Sequence, residues 1–296
     1  MAYHEGEIEV QSRAGVRMMA ERIGRGIRAA MPPIAMDFLS EQTIAAVSSV
    51  DAAGDVWASL LTGRPGFLDP LDEQTLHIHE LPAPDDPLSS NLATNPQLGL
   101  IAIDFASRSR VRVNGIATLQ SDGLRMMVEQ AYSNCPKYIQ ARTVQLTPRT
   151  KQPASVSTRG LTALQSAFVA HADTFFIASY HPEGGADASH RGGNPGFIHV
   201  VDDGLLEFPD YSGNKMFNTL GNLTAYPRAG LLFLDFDRGA TLQLTGETEV
   251  VWNAERLTDF AGAERIIRFH IKQVIEHTDA LPFHFTLRQY SPLNPI

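Results

Sequence analysis

Between residues 174 and 252 the apolar positions fall in short dense runs: TFFIASYH, GFIHVVDDGLLEF, AGLLFLDF and ATLQLTGETEVVW. β-Branched and aromatic residues dominate them, and Gly, Asp-Asp-Gly or Asp-Arg-Gly turns separate them, which is the pattern of strands. LQLTGETEV alternates, so one side of that strand faces a core and the other faces water or a ligand. ERIIRFHIKQVIEH (264–277) alternates through Ile267, Phe269 and Ile271 and predicts a further strand. Helical spacing marks LTALQSAFVAHAD (161–173) and NKMFNTLGNLTAYP (214–227), the latter stopped by Pro227. Residues 11–31 predict an N-terminal helix, and GLRMMVEQAYSNCPKYIQAR (123–142) predicts a helix leading into a join. The fold class is mainly β with flanking α-helices.

The pattern occurs twice. An offset of 130 residues lays Ala58-Ser59 on Ala188-Ser189 and GRPGF (63–67) on GNPGF (193–197). After a slip of one residue, Pro96 falls on Pro227, GLIAIDF (99–105) on GLLFLDF (230–236), and VRVNG (111–115) on the run ending at Gly246. Motifs kept in order and spacing define an internal repeat. The chain divides into an N-terminal helical arm (1–34), a first barrel (35–144) carrying the NCPKYIQ helix, a linker rich in Pro, Ser and Thr (145–158), and a second barrel (159–296).

Composition narrows the function. With 296 residues, 43% of them hydrophobic, the chain can bury a real core. A net charge of −9 without any Lys/Arg-rich segment argues against a nucleic-acid partner. No run of eighteen uncharged apolar residues and no basic-then-apolar leader is present, so neither a membrane nor secretion is expected, and the location is read as cytoplasmic. One cysteine, Cys135, excludes an intrachain disulfide. GxGxxG, Walker, HExxH and GxSxG patterns are absent, so no nicotinamide domain is encoded.

The runs ASHRGGNPGFI, FPDYSGNKMFNTLGNL and PRAGLLFLDFDRGATLQLTGETEV resemble the pyridoxamine 5′-phosphate oxidase-like flavin-binding split barrels. YHEGEIEVQSRAGV and NCPKYIQ resemble the subgroup with two barrels in one chain. The resemblance implies two tandem FMN-binding split β-barrels packed as a pseudo-dimer, with FMN where barrels meet and a flavin-dependent oxidoreductase acting on a small soluble substrate. A homodimer is expected. A non-catalytic flavin carrier or sensor, and a haem protein with a histidine ligand, remain as alternatives.

A flavin phosphate needs guanidinium, ammonium, hydroxyl or backbone N–H groups. In the second copy, Ser189, His190 and Arg191 precede Gly192-Gly193, which would let a ligand approach the backbone. Lys215, Asn218 and Asn222 recur at helical spacing and predict one polar face. Singly, Arg191 and Lys215 read as ordinary surface charges. The first copy, however, has Leu60 and Leu61 opposite His190 and Arg191, and Pro84 and Pro87 opposite Lys215 and Asn218. The second copy is therefore the binding copy, with Arg191 and Lys215 expected on the phosphate, and the first a structural partner. Asp210 and Tyr211 suit the flavin edge or a turn. The resemblance also lets Lys137 or Tyr138 cap the cofactor, while Cys135 reads as buried and inert. Arg64, opposite Asn194, reads as a surface charge. His77 and His79 share a strand face, but the sequence announces no third ligand and no metal site is expected. His171 and His181 have equally weak standing.

Overall fold

The computed structural model describes residues 3–83, 85–147, 154–252 and 254–295. Strands β1 (Ile44–Val50), β2 (Val56–Thr62), β3 (Leu68–Asp72), β4 (Thr75–Ile78), β5 (Gln97–Asp104), β6 (Ser109–Gln120) and β7 (Gly123–Ser133) form one antiparallel sheet in the order β2-β1-β5-β6-β7-β4-β3. Strands β8 (Ala141–Leu146) and β9 (Ala154–Thr158) follow. The second copy repeats the order with β10 (Thr174–His181), β11 (Gly185–Gly192), β12 (His199–Asp202), β13 (Leu205–Tyr211), β14 (Arg228–Asp235), β15 (Ala240–Val251) and β16 (Ala263–Thr278), arranged β11-β10-β14-β15-β16-β13-β12. The last strand, β17 (Phe283–Gln289), returns to pair with β8, and β9 adds to β16. Helices α1 (Glu5–Arg13) and α2 (Arg17–Gly24) form the arm; α3 (Pro33–Ser40) and α4 (Leu88–Thr94) in the first copy correspond to α5 (Ala163–His171) and α6 (Asn218–Ala225) in the second. These are two tandem split barrels.

The apolar runs are explained by burial on two faces. On β5, Leu98 and Leu100 enter the first barrel's core, while Ile101 and Ile103 join a separate apolar layer between the barrels. On β14, Leu231 and Phe233 enter the second core, and Leu232 and Leu234 meet the same layer. A strand buried on both faces is written without alternation. The glycine that opens each run has a related cause. A Cβ on Gly99 would stand 2.6 Å from the Ala186–Asp187 backbone, and one on Gly230 2.6 Å from the Ala58 nitrogen and 2.7 Å from the Trp57 backbone. Each barrel thus lays a bare backbone on the other's second strand.

The expected helix over 123–142 is absent. Leu124, Met126 and Val128 are buried in the core while Arg125, Met127 and Glu129 are exposed, so period 2 prevails over the helix-favouring composition, and residues 134–140 form no helix. The arm is two helices broken near Gly15, whose φ of 70° ends the first. Much of the expected linker, 148–153, lies outside the described residues, as does Pro84; its flanks, Gln145-Leu146 and Ala154–Thr158, are strand.

Candidate functional site

Alternation on β6 sends Val111 and Val113 into the first barrel and Arg110, Arg112 and Asn114 outward, onto β11 of the second. Arg112 donates from Nη1 to Asp187 Oδ2 at 2.9 Å, and Tyr132 Oη and Asn114 Nδ2 donate to Asp187 Oδ1 at 3.0 and 3.2 Å. This buried network ties the barrels together. Beside it, Arg110 Nη1 donates to His190 Nδ1 at 2.9 Å and Arg110 Nη2 to the Cys135 carbonyl at 2.8 Å.

Arg110, Arg112 and His190 form the floor of a cleft of about 800 Å³ including its open mouth, and Cys135, expected to be buried, is exposed at its edge. The segment after β7 supplies one wall, with Lys137 Nζ and Tyr138 Oη both donating to the Ser212 carbonyl, at 3.3 and 3.0 Å. The opposite wall runs from Asp210 to Leu220. There Lys215 and Phe217 both hold φ near 63°, uncommon for residues with side chains and frequent where a site over-determines the backbone. Phe197, Phe217, Tyr138 and Tyr211 add flat apolar surface; the two tyrosine rings lie 5.3 Å apart.

In and directly behind the cleft, Arg110, Arg112, Arg191, Lys137, Lys215 and Arg265 outnumber the carboxylates Asp187, Asp210 and Glu264. Arg112 pairs with Asp187, Lys215 with Glu264 at 2.7 Å, and Arg265 with Asp210 at 2.8 Å. Arg191 reaches Asp210 only at 3.9 Å, and among the described residues Arg110 has no ion-pair partner. Burial, followed by Arg112 and Arg191, pulls the Arg110 guanidinium down from 12.5 to about 9. The His190 imidazole is pushed well below its ordinary value by burial first and then by Arg110 and Arg191. Arg110 Nε, Arg112 Nε, both side-chain polar atoms of Asn134 and His190 Nε2 are buried without a hydrogen-bond partner. Apart from the Asn134 amide oxygen, which only accepts, these are unmatched donors, suited to an anion.

Seven of the nine residues expected from sequence line this cleft: Lys137, His190, Arg191, Gly192, Asp210, Lys215 and Asn218. Ser189 and Asn222 do not. Ser189 sits behind the wall, hydrogen-bonded to Thr219 at 2.7 Å, and Asn222 turns away to donate to Ser179 Oγ and meet His4 Nε2. The common helical face fails because α6 begins only at Asn218, and Asn218 donates to Glu7 Oε1. The missing side chains of Gly192 and Gly193 make room for protein neighbours, not for a ligand as expected: the Tyr138 carbonyl occupies the space a Gly192 Cβ would need, and the Phe197 side chain that of Gly193. Arg110 and Arg112 were not foreseen. Their signal is RSRVR (108–112), arginines on alternate residues of a strand.

The pseudo-symmetric position carries a second cleft of about 610 Å³, lined by Leu60, Leu61, Thr62, Glu80, Asp86, Thr241 and His277 among others, with no Lys or Arg. Leu60 and Leu61 stand where His190 and Arg191 stand, and Thr241 where Arg110 does. Counted from Asn91 and Asn222, which donate to the equivalent Ser49 and Ser179 hydroxyls, Pro87 falls opposite Asn218. Arg64 is exposed and lines neither cleft.

Tandem split barrels with a cationic cleft at their junction define the class of protein. The chain belongs to the pyridoxamine 5′-phosphate oxidase family, whose model matches it twice, over residues 31–155 and 161–290. No curated protein matches it. Among solved structures it is similar to HupZ from Group A Streptococcus (9% identity, covering 38% of this chain and 92% of that one, TM-score 0.31). It is also similar to a FAD-binding protein from Mesorhizobium loti (16%, 42% and 96%, TM-score 0.28) and to a protein of the pyridoxinephosphate oxidase family from Clostridium acetobutylicum (12%, 40% and 88%, TM-score 0.28). No helix among the described residues is long and apolar enough to cross a membrane.

Proposed function

We propose that the cleft binds FMN, with the phosphate against Arg110, Arg191 and Lys137, and that the protein is a flavin-dependent oxidoreductase acting on a small soluble substrate. One observation carries the reading: among the described residues Arg110 is a partly buried guanidinium without an ion-pair partner, and its Nε, Arg112 Nε and His190 Nε2 are buried in the same cleft without hydrogen-bond partners. An anion relieves the repulsion among Arg110, Arg112 and Arg191 and takes up their spare donors. Tyr138, Tyr211 and Phe217 suit a flat ring, and the cleft volume suits a ligand of nucleotide size. Bound flavin would supply hydride and electron transfer. The chain's own residues would anchor the phosphate, orient the ring and exclude water. Both walls come from one chain, so binding requires no second copy.

The haem alternative fares worse at this cleft. Arginine can only donate, so Nδ1 of His190 accepts from Arg110 and the ring hydrogen sits on Nε2. That nitrogen then lacks the lone pair an iron ligand needs.

The test is the visible spectrum of the purified protein, with the released ligand identified by mass, followed by titration of apoprotein with FMN and riboflavin. A flavin band and FMN binding at least about tenfold tighter than riboflavin are expected. Equal binding of the two, or a haem band, would overturn the reading.

A further inference from the structure

We propose that the outer face of the β3–β4 hairpin is a divalent-metal site, with His77, His79 and Asp122 as ligands and Zn²⁺ as the suited ion. Leu76 and Ile78 enter the barrel core, so His77 lies on the opposite face of β4, and His79, just past the strand's end, continues on the same side. Their rings stand 4.2 Å apart between centroids. The ligand the sequence did not announce comes from the turn between β6 and β7. Gly123, at φ 144°, packs its backbone against the Ile78 carbonyl where a side chain could not fit, which sets the preceding Asp122 over β4. Asp122 Oδ2 lies 3.7 Å from His77 Nε2.

His77 points to a ligand independently of that grouping. It is only 6% exposed, and its Nε2 is buried without a hydrogen-bond partner. Leaving such a nitrogen unmatched is unfavourable, and a metal ion resolves it. One ligand atom from each of His77, His79 and Asp122 lies within 4.8 Å of the others. Around zinc, with bonds of about 2.0–2.2 Å, tetrahedral ligand atoms stand roughly 3.4 Å apart. The half-exposed His79 and the exposed Asp122 can close that gap by side-chain rotation. Asp69 completes the arrangement from β3: its Oδ2 lies 3.2 Å from His79 Nε2, the carboxylate placement that orients a ligating imidazole. Two imidazoles and one carboxylate suit zinc, with the fourth position left to water. Bound metal would cross-link the β3–β4 hairpin to the β6–β7 turn, far in sequence from its other ligands.

The experiment uses the full chain without an affinity tag, stripped with chelator and titrated with ZnCl₂ against a chromophoric competitor, with CoCl₂ as a spectroscopic probe. One Zn²⁺ per chain is expected, with a rise in Tm and an intense visible Co²⁺ spectrum of tetrahedral type. His77→Ala and Asp122→Asn should each weaken Zn²⁺ by at least about tenfold, while His284→Ala, at an exposed histidine on β17, should not. Asp122 is an exposed turn residue, so its variant carries the test even if His77→Ala fails to fold. Zn²⁺ affinity unchanged by Asp122→Asn, or no binding tighter than millimolar, would overturn the proposal.

Discussion

Arg110 donates from Nη1 to His190 Nδ1 across 2.9 Å, joining β6 of one barrel to β11 of the other. Neither copy could build this contact alone, since the guanidinium belongs to the copy whose own second strand carries leucines. The second copy supplies the acceptor and the neighbouring Arg191. The cleft is a product of the pair.

Substitution of Arg110 follows directly. Arg110→Ala and Arg191→Ala should each weaken FMN about tenfold or more, the loss of one charge-assisted contact of on the order of 2 kcal/mol. Lys215→Ala should do less, because Lys215 is already paired with Glu264. Riboflavin is the control, and its affinity should stay nearly constant. The double arginine variant should lose less than the sum of the two, as expected for groups sharing one phosphate. Equal losses of riboflavin and FMN would place the arginines in a structural role.

Stoichiometry tests the asymmetry of the repeat. The second cleft offers Leu60, Leu61 and Thr241 where the first offers His190, Arg191 and Arg110, and Gln243, opposite Arg112, donates to the Ala58 carbonyl. Titration of apoprotein should saturate at one flavin per chain. Two per chain would mean that phosphate is held without arginine.

The repeat made the barrels legible because paired motifs such as GLIAIDF and GLLFLDF record a pseudo-twofold, down to the glycines that let each barrel touch the other. The second-copy half of the cleft was legible for the same reason: leucines replace His190 and Arg191 in the first copy. Arg110 and Arg112 escaped because they lie on the copy judged degenerate, and their target is visible only once the barrels are packed. The expected polar helical face was not realised because helical spacing says nothing about where a helix starts: α6 begins at Asn218, which leaves Lys215 outside it, and Asn222 bonds to Ser179 and His4. The strand at 123–133 was hidden by residues that favour helices, and only the alternation of Leu124, Met126 and Val128 betrays it.

The N-terminal arm should respond to pH. Glu7 is buried against α6, its Oε1 accepting from Asn218, and burial raises its carboxyl from 4.5 to about 8. A raised carboxyl pKa means that the folded state holds the proton more tightly, so this contribution is full below about 4.5 and falls as pH rises toward 8. His4 acts in the other direction. Burial and His181 lower it from 6.5 to about 4, so its contribution is full above 6.5 and lost as pH falls toward 4. Glu7→Gln should therefore flatten the decline of Tm between pH 5 and 8 and raise Tm at pH 8, read by thermal unfolding across that range. An unchanged slope would assign the decline to other groups.

The two interface glycines separate stability from binding. An added Cβ at Gly99 or Gly230 would meet the facing backbone at 2.6 Å, too close for either sheet to absorb without movement. Overpacking of this kind costs about 1–3 kcal/mol, so Gly99→Ala and Gly230→Ala should each lower Tm by several degrees. Their effects on FMN should differ. Gly99 presses on Asp187, which accepts from Arg112, Asn114 and Tyr132 directly behind the cleft floor. Gly230 presses on Trp57 and Ala58, beside the cleft that has no arginine. Gly99→Ala should weaken FMN severalfold at temperatures where the protein remains folded, and Gly230→Ala should leave its affinity nearly unchanged. Equal losses in both variants would mean that the cleft depends on the packing of the whole barrel pair and not on the local Asp187 network.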